Sequence, residues 1–138
     1  MRTYKLKIVT PDGVIFDDEV QSLLAKSDDG TIEILAGHID YIASLSIGEA
    51  RVILADGTRR YGALSGGFLT VGREGVTLLP TTFEWGDMID LERALAAKER
   101  AEEKLNSSKD ALALDIARAK LQRALTRIRI YESTNKRY

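Results

Sequence analysis

Four arginines in the C-terminal third of the chain have the type and spacing best suited to binding a charged ligand. Arg123 and Arg127 are one helical turn apart, and Arg93 and Arg100 are two turns apart. A guanidinium group can hold a phosphate through two parallel hydrogen bonds. If the two segments fold against each other, the four groups can converge on one phosphate-bearing ligand. A solvated basic face is the simpler interpretation, and both remain open at this point.

The sequence offers little for catalysis. It contains one histidine, His38, and no cysteine, which excludes disulfides, thiolate nucleophiles and sulfur-ligated metals. Ser65 lacks the glycine two positions earlier that a nucleophile elbow needs, and no Gly-x-x-x-x-Gly-Lys-Ser/Thr phosphate loop is present. A metal site usually needs several clustered ligands. We therefore predict no catalytic residues, no bound metal and no independent enzyme activity.

The first part of the chain, up to about residue 84, alternates apolar and polar residues. This period of two is typical of strands with one buried face. Turn signals such as Pro11-Asp12-Gly13 and Asp56-Gly57 separate the runs. Short strands at this spacing predict an antiparallel sandwich or barrel of eight or more strands. The predicted strands cover residues 4–10, 20–26, 31–35, 41–45, 49–55, 58–64, 68–71 and 76–79.

After Gly86 the apolar period becomes that of an α-helix. Asp87 is the predicted N-cap of a first helix, and residues 106–108, Asn-Ser-Ser, end it before a second helix starts near Lys109. The apolar faces predicted to be buried are Leu91, Ala94, Leu95, Ala101 and Leu105 on the first helix, and Leu114, Ala117, Leu121, Leu125 and Ile128 on the second. The predicted fold class is α+β, with an antiparallel β-sandwich at 1–86 and an antiparallel two-helix hairpin at 87–138.

Composition and charge fit a globular protein with two parts. Of 138 residues, 44% are hydrophobic and 30% charged, with a net charge of -1. No apolar run is long enough for a signal peptide or a membrane span, so we expect the chain to stay in the compartment where it is made. Residues 1–87 hold 8 Lys and Arg against 13 Asp and Glu, whereas 88–138 hold 12 against 8. This asymmetry suggests that the two parts meet different partners.

Four segments, in order along the whole chain, resemble the epsilon subunit family of bacterial F-type ATP synthases. They are the strand and turn at 8–13, the Gly37-His38 loop, the stretch Ser65-Gly-Gly-Phe-Leu-Thr-Val71 and the arginine-bearing helix at 119–128. The resemblance implies a non-catalytic central-stalk subunit that seats its sandwich on the gamma subunit and touches the c subunits of the rotor ring. It also implies a peripheral position on the cytoplasmic face of the bacterial membrane, with attachment only through the complex.

The loop that faces the rotor ring in this family departs from the family pattern here. Where members commonly read Gly-Glu-Leu-Gly-Ile-Leu-Pro-Gly-His-x-Pro, residues 30–40 read Gly-Thr-Ile-Glu-Ile-Leu-Ala-Gly-His-Ile-Asp. Thr31 replaces an acidic residue, so specific polar contacts change while the location of the interface is kept. The resemblance therefore implies a rotor-ring interface built from Asp28, Asp29, Thr31, Glu33 and His38.

A short motif in the first helix resembles the nucleotide-binding signature of some family members. Residues 89–94, Ile-Asp-Leu-Glu-Arg-Ala, match the form Ile/Leu-Asp-x-x-Arg-Ala. The resemblance implies that ATP is a regulatory ligand and that no catalytic cofactor is bound. The implied phosphate and ribose ligands are Arg93, Arg100, Arg123 and Arg127, and the implied adenine ligands are Glu84, Ile89, Asp90 and Ala94.

The resemblance also implies a two-state hairpin. It folds on the sandwich in a permissive state and extends along gamma towards the alpha and beta subunits in a state that inhibits ATP hydrolysis. ATP favours the folded state only if it binds that state more tightly.

The alternative is a sandwich-plus-hairpin adaptor that binds another protein or RNA outside any rotary complex. Basic helices meet phosphate backbones readily. Acidic residues on both helices interrupt the positive field, however, and the sandwich is acidic as a whole. We therefore predict no nucleic-acid partner.

Overall fold

The computed structural model describes residues 2–136, which form six β-strands followed by two α-helices. Residue 1 of the predicted sandwich and residues 137–138 of the predicted hairpin lie outside the described residues. The elements are β1 (Tyr4–Thr10), β2 (Gly13–Ser27), β3 (Gly30–Leu35), β4 (Tyr41–Leu54), β5 (Arg59–Gly72), β6 (Gly75–Trp85), α1 (Leu91–Ser107) and α2 (Ala111–Asn135). A 3-10 turn, Gly86–Met88, joins the two parts. The predicted class, a β-sandwich followed by a two-helix hairpin, is confirmed.

The strands form one sheet that closes on itself. The order is β1-β6-β5-β4-β2-β3, and β1 also pairs with the first half of β2. Neighbouring strands are antiparallel except β1 and β6, which run parallel. Large aliphatic side chains at alternate positions point into the closed sheet, among them Leu6, Ile8, Leu23, Leu69 and Leu78, each with no exposed surface.

The prediction of eight or more strands was wrong because glycines inside two long strands were taken for strand ends. β4 contains the 41–45 prediction and the 49–55 prediction up to residue 54, and β5 contains the 58–64 prediction from residue 59 and the whole of 68–71. Gly66 and Gly67 bend β5 with φ of 66° and 99° while the strand continues. A Cβ at Gly67 would lie 2.7 Å from the Cα of Pro80, so only glycine allows β6 to pass this closely.

The start of α1 also differs from the prediction. Asp87 lies within the 3-10 turn, and the N-cap is Asp90, whose Oδ1 accepts a hydrogen bond from the backbone N–H of Arg93 at 3.2 Å. Ile89 stays extended (φ -77°, ψ 128°) and buried, which delays the helix. Asp110 caps α2 in the same way through the N–H of Ala113.

The helices bury alanines more completely than leucines. The buried positions include Ala94 and Ala101 of α1 and Ala117 and Ala124 of α2. Leu95 and Leu125, which were predicted to be buried, are instead 45% and 42% exposed. Small side chains let two helices approach closely, and the longer leucines beside them are then left outside the contact.

The far end of α2 anchors the hairpin to the sandwich. Ile130 has no exposed surface and packs with Ile89 and with Ala63 of β5. Neither α-helix of the described chain is both long and apolar enough to cross a membrane.

Candidate functional site

A depression where the hairpin meets the sandwich gathers six of the eight predicted ligand-binding residues. Its volume is about 140 Å³. β6 contributes one of its lining residues, α2 contributes one, and α1 with its N-cap contributes the rest. The lining residues are Glu84, Asp90, Arg93, Ala94, Ala97, Arg100 and Arg127.

Glu84 and Arg127 form an ion pair across the depression. The Nε of Arg127 lies 3.1 Å from Oε1 of Glu84. That oxygen is buried, yet no donor among the described residues makes a well-directed hydrogen bond to it. A buried carboxylate oxygen without a hydrogen bond is costly. The Glu84 side chain as a whole is 35% exposed, so its second carboxylate oxygen is the one suited to accept a hydrogen bond from the amine of a ligand.

Of the other three predicted adenine contacts, Ala94 lines the depression, and Asp90 and Ile89 have different surroundings. One oxygen of Asp90 is occupied by the helix cap, and Asp90 still lines the depression. Ile89 does not line it, because its side chain is buried between Ala63 and Ile130. A direct contact of Ile89 with a ligand stays a prediction, and its observed contacts are those of a hydrophobic anchor.

Arg123 lies beside the depression, in a larger groove between α1 and α2. The groove has a volume of about 470 Å³ and shares Arg100 and Arg127 with the depression. Its other cations are Lys104 and Lys120, and its floor is formed largely by Ala97, Ala101, Ala113 and Ala117. No acidic residue lines it within the part of the chain that the structure describes.

Lys104 and Lys120 were not among the predicted ligand-binding residues. Lys104 follows Arg100 by four residues, and Lys120 precedes Arg123 by three. Each lysine is therefore one helical turn from a predicted ligand, and that spacing was the signal for them.

The residues predicted to face the rotor ring are distributed along β3 and its two flanking turns. Asp28 and Asp29 occupy the β2–β3 turn, where their backbone N–H groups donate to Ser44 O and to Ser27 Oγ. Their carboxylates and the side chain of Thr31 are exposed. These three side chains are available to a partner.

Glu33 and His38 already have partners within the chain. Oε2 of Glu33 accepts hydrogen bonds from Arg51 at 2.7 Å and from Ser22 Oγ at 3.0 Å. Nδ1–H of His38, which follows β3, donates to Ile39 O at 2.7 Å, and its ring lies 5.8 Å from that of Tyr41. Within residues 2–136, no three His, Asp or Glu side chains gather into a cluster able to hold a metal.

Comparison with known proteins assigns both parts of the chain to one family. Residues 3–86 match the model of the ATP synthase delta/epsilon chain beta-sandwich domain, and residues 87–132 match that of the ATP synthase delta/epsilon chain long alpha-helix domain. The chain belongs to the ATP synthase delta/epsilon family. The resemblance to bacterial epsilon subunits is thereby confirmed, and it extends over both halves of the chain.

Relatives of this family member align over nearly their whole length. The ATP synthase epsilon chain of Bacillus velezensis is 43% identical over 128 residues, which cover 93% of this chain and 96% of that protein. That of Caldicellulosiruptor saccharolyticus is 37% identical over 132 residues, 96% of each. A chain in a cryo-EM structure of Euglena gracilis mitochondrial ATP synthase (OSCP/F1/c-ring) aligns with a TM-score of 0.81 and 23% identity over 97% of this chain and 82% of its own length. At that identity the likeness shows the shared fold.

The junction between the two parts of this ATP synthase family chain has contacts that the sequence analysis missed. Arg60 of β5 stacks on the ring of Trp85 at 3.9 Å and lies 3.7 Å from Asp87. At Gly86, a Cβ would overlap Oγ1 of Thr134 and lie 2.9 Å from its Cβ. The end of α2 is therefore seated directly on the connecting turn.

Proposed function

We propose that this chain is a non-catalytic central-stalk subunit of a rotary F-type ATP synthase, and that its hairpin regulates ATP hydrolysis by binding ATP. One observation supports the regulatory part most directly. Glu84 of the sandwich, Arg93 and Arg100 of α1, and Arg127 of α2 line a single depression. A ligand held there touches three separate elements at once.

Because the proposed site spans three elements, ATP should bind the folded hairpin more tightly than the extended one. In an extended hairpin, Glu84 and Arg127 no longer lie 3.1 Å apart, so the full ligand set exists only in the folded state. A ligand shifts an equilibrium by its difference in affinity for the two states. At a hundred times its dissociation constant, a ligand specific to one state stabilises that state by about 2.7 kcal/mol.

The side chains have the chemistry that an adenine nucleotide needs. The guanidinium groups suit phosphates, the carboxylates of Glu84 and Asp90 suit the exocyclic amine, and Ala94 leaves room for a flat ring. The depression alone is small, because sites for drug-sized ligands usually measure about 300–1,000 Å³. We therefore place the base in the depression and the phosphates towards the inter-helix groove, since Arg100 and Arg127 line both.

Family membership supports a set of proposed partners. The sandwich is proposed to sit on the gamma subunit and to meet the c subunits through the five predicted residues, Asp28, Asp29, Thr31, Glu33 and His38, all of which are exposed. The extended hairpin meets the alpha and beta subunits. The chain is then peripheral to the cytoplasmic face of the bacterial membrane and attached through the complex alone. Shared family membership over both halves leaves the independent protein or RNA adaptor without support.

Calorimetric titration of the full chain with ATP tests the sensor. Replacing both Arg93 and Arg127 by alanine is expected to weaken binding by at least about a hundredfold, because each hydrogen-bonded charge contributes about 1.5–3 kcal/mol. A matched control replaces Arg73 and Arg118, which do not line the site. The control should bind like the unmodified chain. If the unmodified chain binds no ATP at millimolar concentration, the sensor is wrong while the family assignment stands.

A further inference from the structure

The inter-helix groove concentrates positive charge that the protein itself does not neutralise. Five cationic side chains line it: Arg100, Lys104, Lys120, Arg123 and Arg127. Only Arg127 among them makes an ion pair with a described residue, Glu84. The other four lie within 4.0 Å of no carboxylate in residues 2–136.

Other cationic side chains on the surface of this protein do form ion pairs with carboxylates. Arg51, Arg118 and Lys5 each contact a carboxylate at 2.7–3.1 Å. Glu99, Glu102 and Glu103 of α1 are exposed and line no part of the groove. The groove-lining cations therefore share a concave surface from which neighbouring acidic side chains are absent, and such a surface favours an anion.

The order of the cations along the groove defines a direction. α1 rises about 1.5 Å per residue, so Arg100 lies about 9 Å beyond Ala94 and Lys104 about 15 Å beyond it. α2 runs antiparallel, which puts Lys120 about 10 Å closer to the hairpin tip than Arg127. A chain of phosphates that starts at the depression meets the arginines first and the two lysines last.

We propose that Lys104 and Lys120 bind the outermost phosphate of the ligand and set its preference for a triphosphate over a diphosphate. This inference rests on the proposed nucleotide site and adds residues to it. The alanine floor fits this role, because methyl side chains leave the groove open to a flexible anion. An ammonium group is a compact charge on a long stem and can reach the end of such a chain.

The test compares two doubly substituted full-length chains with the unmodified one. Lys104→Gln with Lys120→Gln removes the proposed contacts, and Lys98→Gln with Lys109→Gln removes the same charge from positions that do not line the groove. Calorimetry with ATP, ADP and inorganic triphosphate measures each affinity. The first pair is expected to weaken ATP and triphosphate binding about tenfold, equivalent to about 1.4 kcal/mol, and ADP binding less than threefold. The control pair should change each affinity by less than twofold.

Each outcome decides between the two proposals. A loss of the ATP-over-ADP preference in the groove variant alone supports the lysine assignment. Equal weakening of ATP and ADP, or the same effect in the control, overturns it while the nucleotide site remains. Binding of triphosphate without binding of ATP, if lost on substitution of the groove lysines, supports an anion groove but refutes the nucleotide sensor. If neither ligand binds the unmodified chain, both proposals are wrong.

Discussion

The sandwich and the hairpin bury very different side chains. The sandwich core is filled by leucine, isoleucine and valine residues such as Leu23, Leu69 and Leu78, whereas four of the buried positions of the helices are alanines. Apolar burial stabilises by about 25 cal/mol per Å², so a methyl group contributes far less than an isobutyl group. We therefore expect the sandwich to be the more stable part and the hairpin to open more easily.

The largest expected effect separates the two regions directly. Leu78→Ala should lower the free energy of unfolding of the sandwich by about 2–5 kcal/mol, since it opens a cavity in the core. Ala101→Gly in α1 should cost only about 1 kcal/mol and only within the hairpin. The fluorescence of the buried Trp85, measured during urea unfolding, monitors the unfolding of the sandwich. If Ala101→Gly shifts that transition as far as Leu78→Ala does, the two regions unfold as one unit.

The next effect concerns the seat of the hairpin on the sandwich. Gly86→Ala places a methyl group against Thr134 and 3.2 Å from Cγ2 of Ile130, which should displace the end of α2. We expect hydrogen exchange of the α2 amides near residues 126–135 to become at least about tenfold faster, equivalent to about 1.4 kcal/mol, with the sandwich amides unchanged. A synthase assembled with the same variant should hydrolyse ATP more slowly, since the proposed function makes the extended hairpin the inhibitory state.

A matched glycine controls for the change in backbone freedom. Gly72→Ala adds the same methyl group where nothing lies within 4 Å, and its exchange pattern should match that of the unmodified chain. Unchanged α2 exchange in Gly86→Ala would show that the end of the helix adapts locally and that this contact does not hold the hairpin. Faster exchange without slower hydrolysis would contradict the inhibitory role of the extended state.

The smallest effect lies within the sandwich. The hydroxyl of Tyr4 donates to Ile34 O at 2.7 Å and links β1 to β3. Tyr4→Phe should lower the free energy of unfolding by about 1 kcal/mol near pH 8. Burial raises the pKa of Tyr4 above its ordinary value of 10.0, so the unfolded chain ionises first. The contribution is complete below pH 10 and is lost as the pH rises through the raised pKa.

Unfolding in urea at pH 8 and pH 11 tests this sign. Relative to Tyr4→Phe, the unmodified chain should lose about 1.4 kcal/mol of stability at pH 11, one unit above the ordinary value. The difference of about 1 kcal/mol at pH 8 should therefore close and slightly reverse sign. Other titrating groups are common to both chains and cancel in the difference. A gap that does not change with pH would mean that the hydroxyl is not excluded from water.

The change of period from two to 3.6 near residue 86 was sufficient to predict the fold class. The ends of strands and helices were harder to predict, because one residue type can occur in two different local structures. Glycine favours both a turn and a bend inside a strand, so Gly66 and Gly67 could not be distinguished from a strand end. Asp87 and Asp90 are both good N-caps, and the choice depends on the burial of Ile89.

The candidate site shows the same limit. Helical spacing predicted that the arginines share a face, and the structure gathers Arg93, Arg100 and Arg127. Spacing alone could not show that Ile89 faces the core, because that depends on where α2 returns to the sandwich. It also could not choose between alanines and leucines as the contact between the helices, since both occur at suitable intervals.

The pairing of β1 with both β2 and β6 has a mechanical consequence. A strand held by ladders on both sides cannot slide without breaking hydrogen bonds along its length. The closed sheet is therefore a stiff body under shear. Within a central stalk, we expect such a stiff body to transmit torque with little elastic deformation. Compliance is then concentrated in the short turn at Gly86–Met88 and in the helices beyond it.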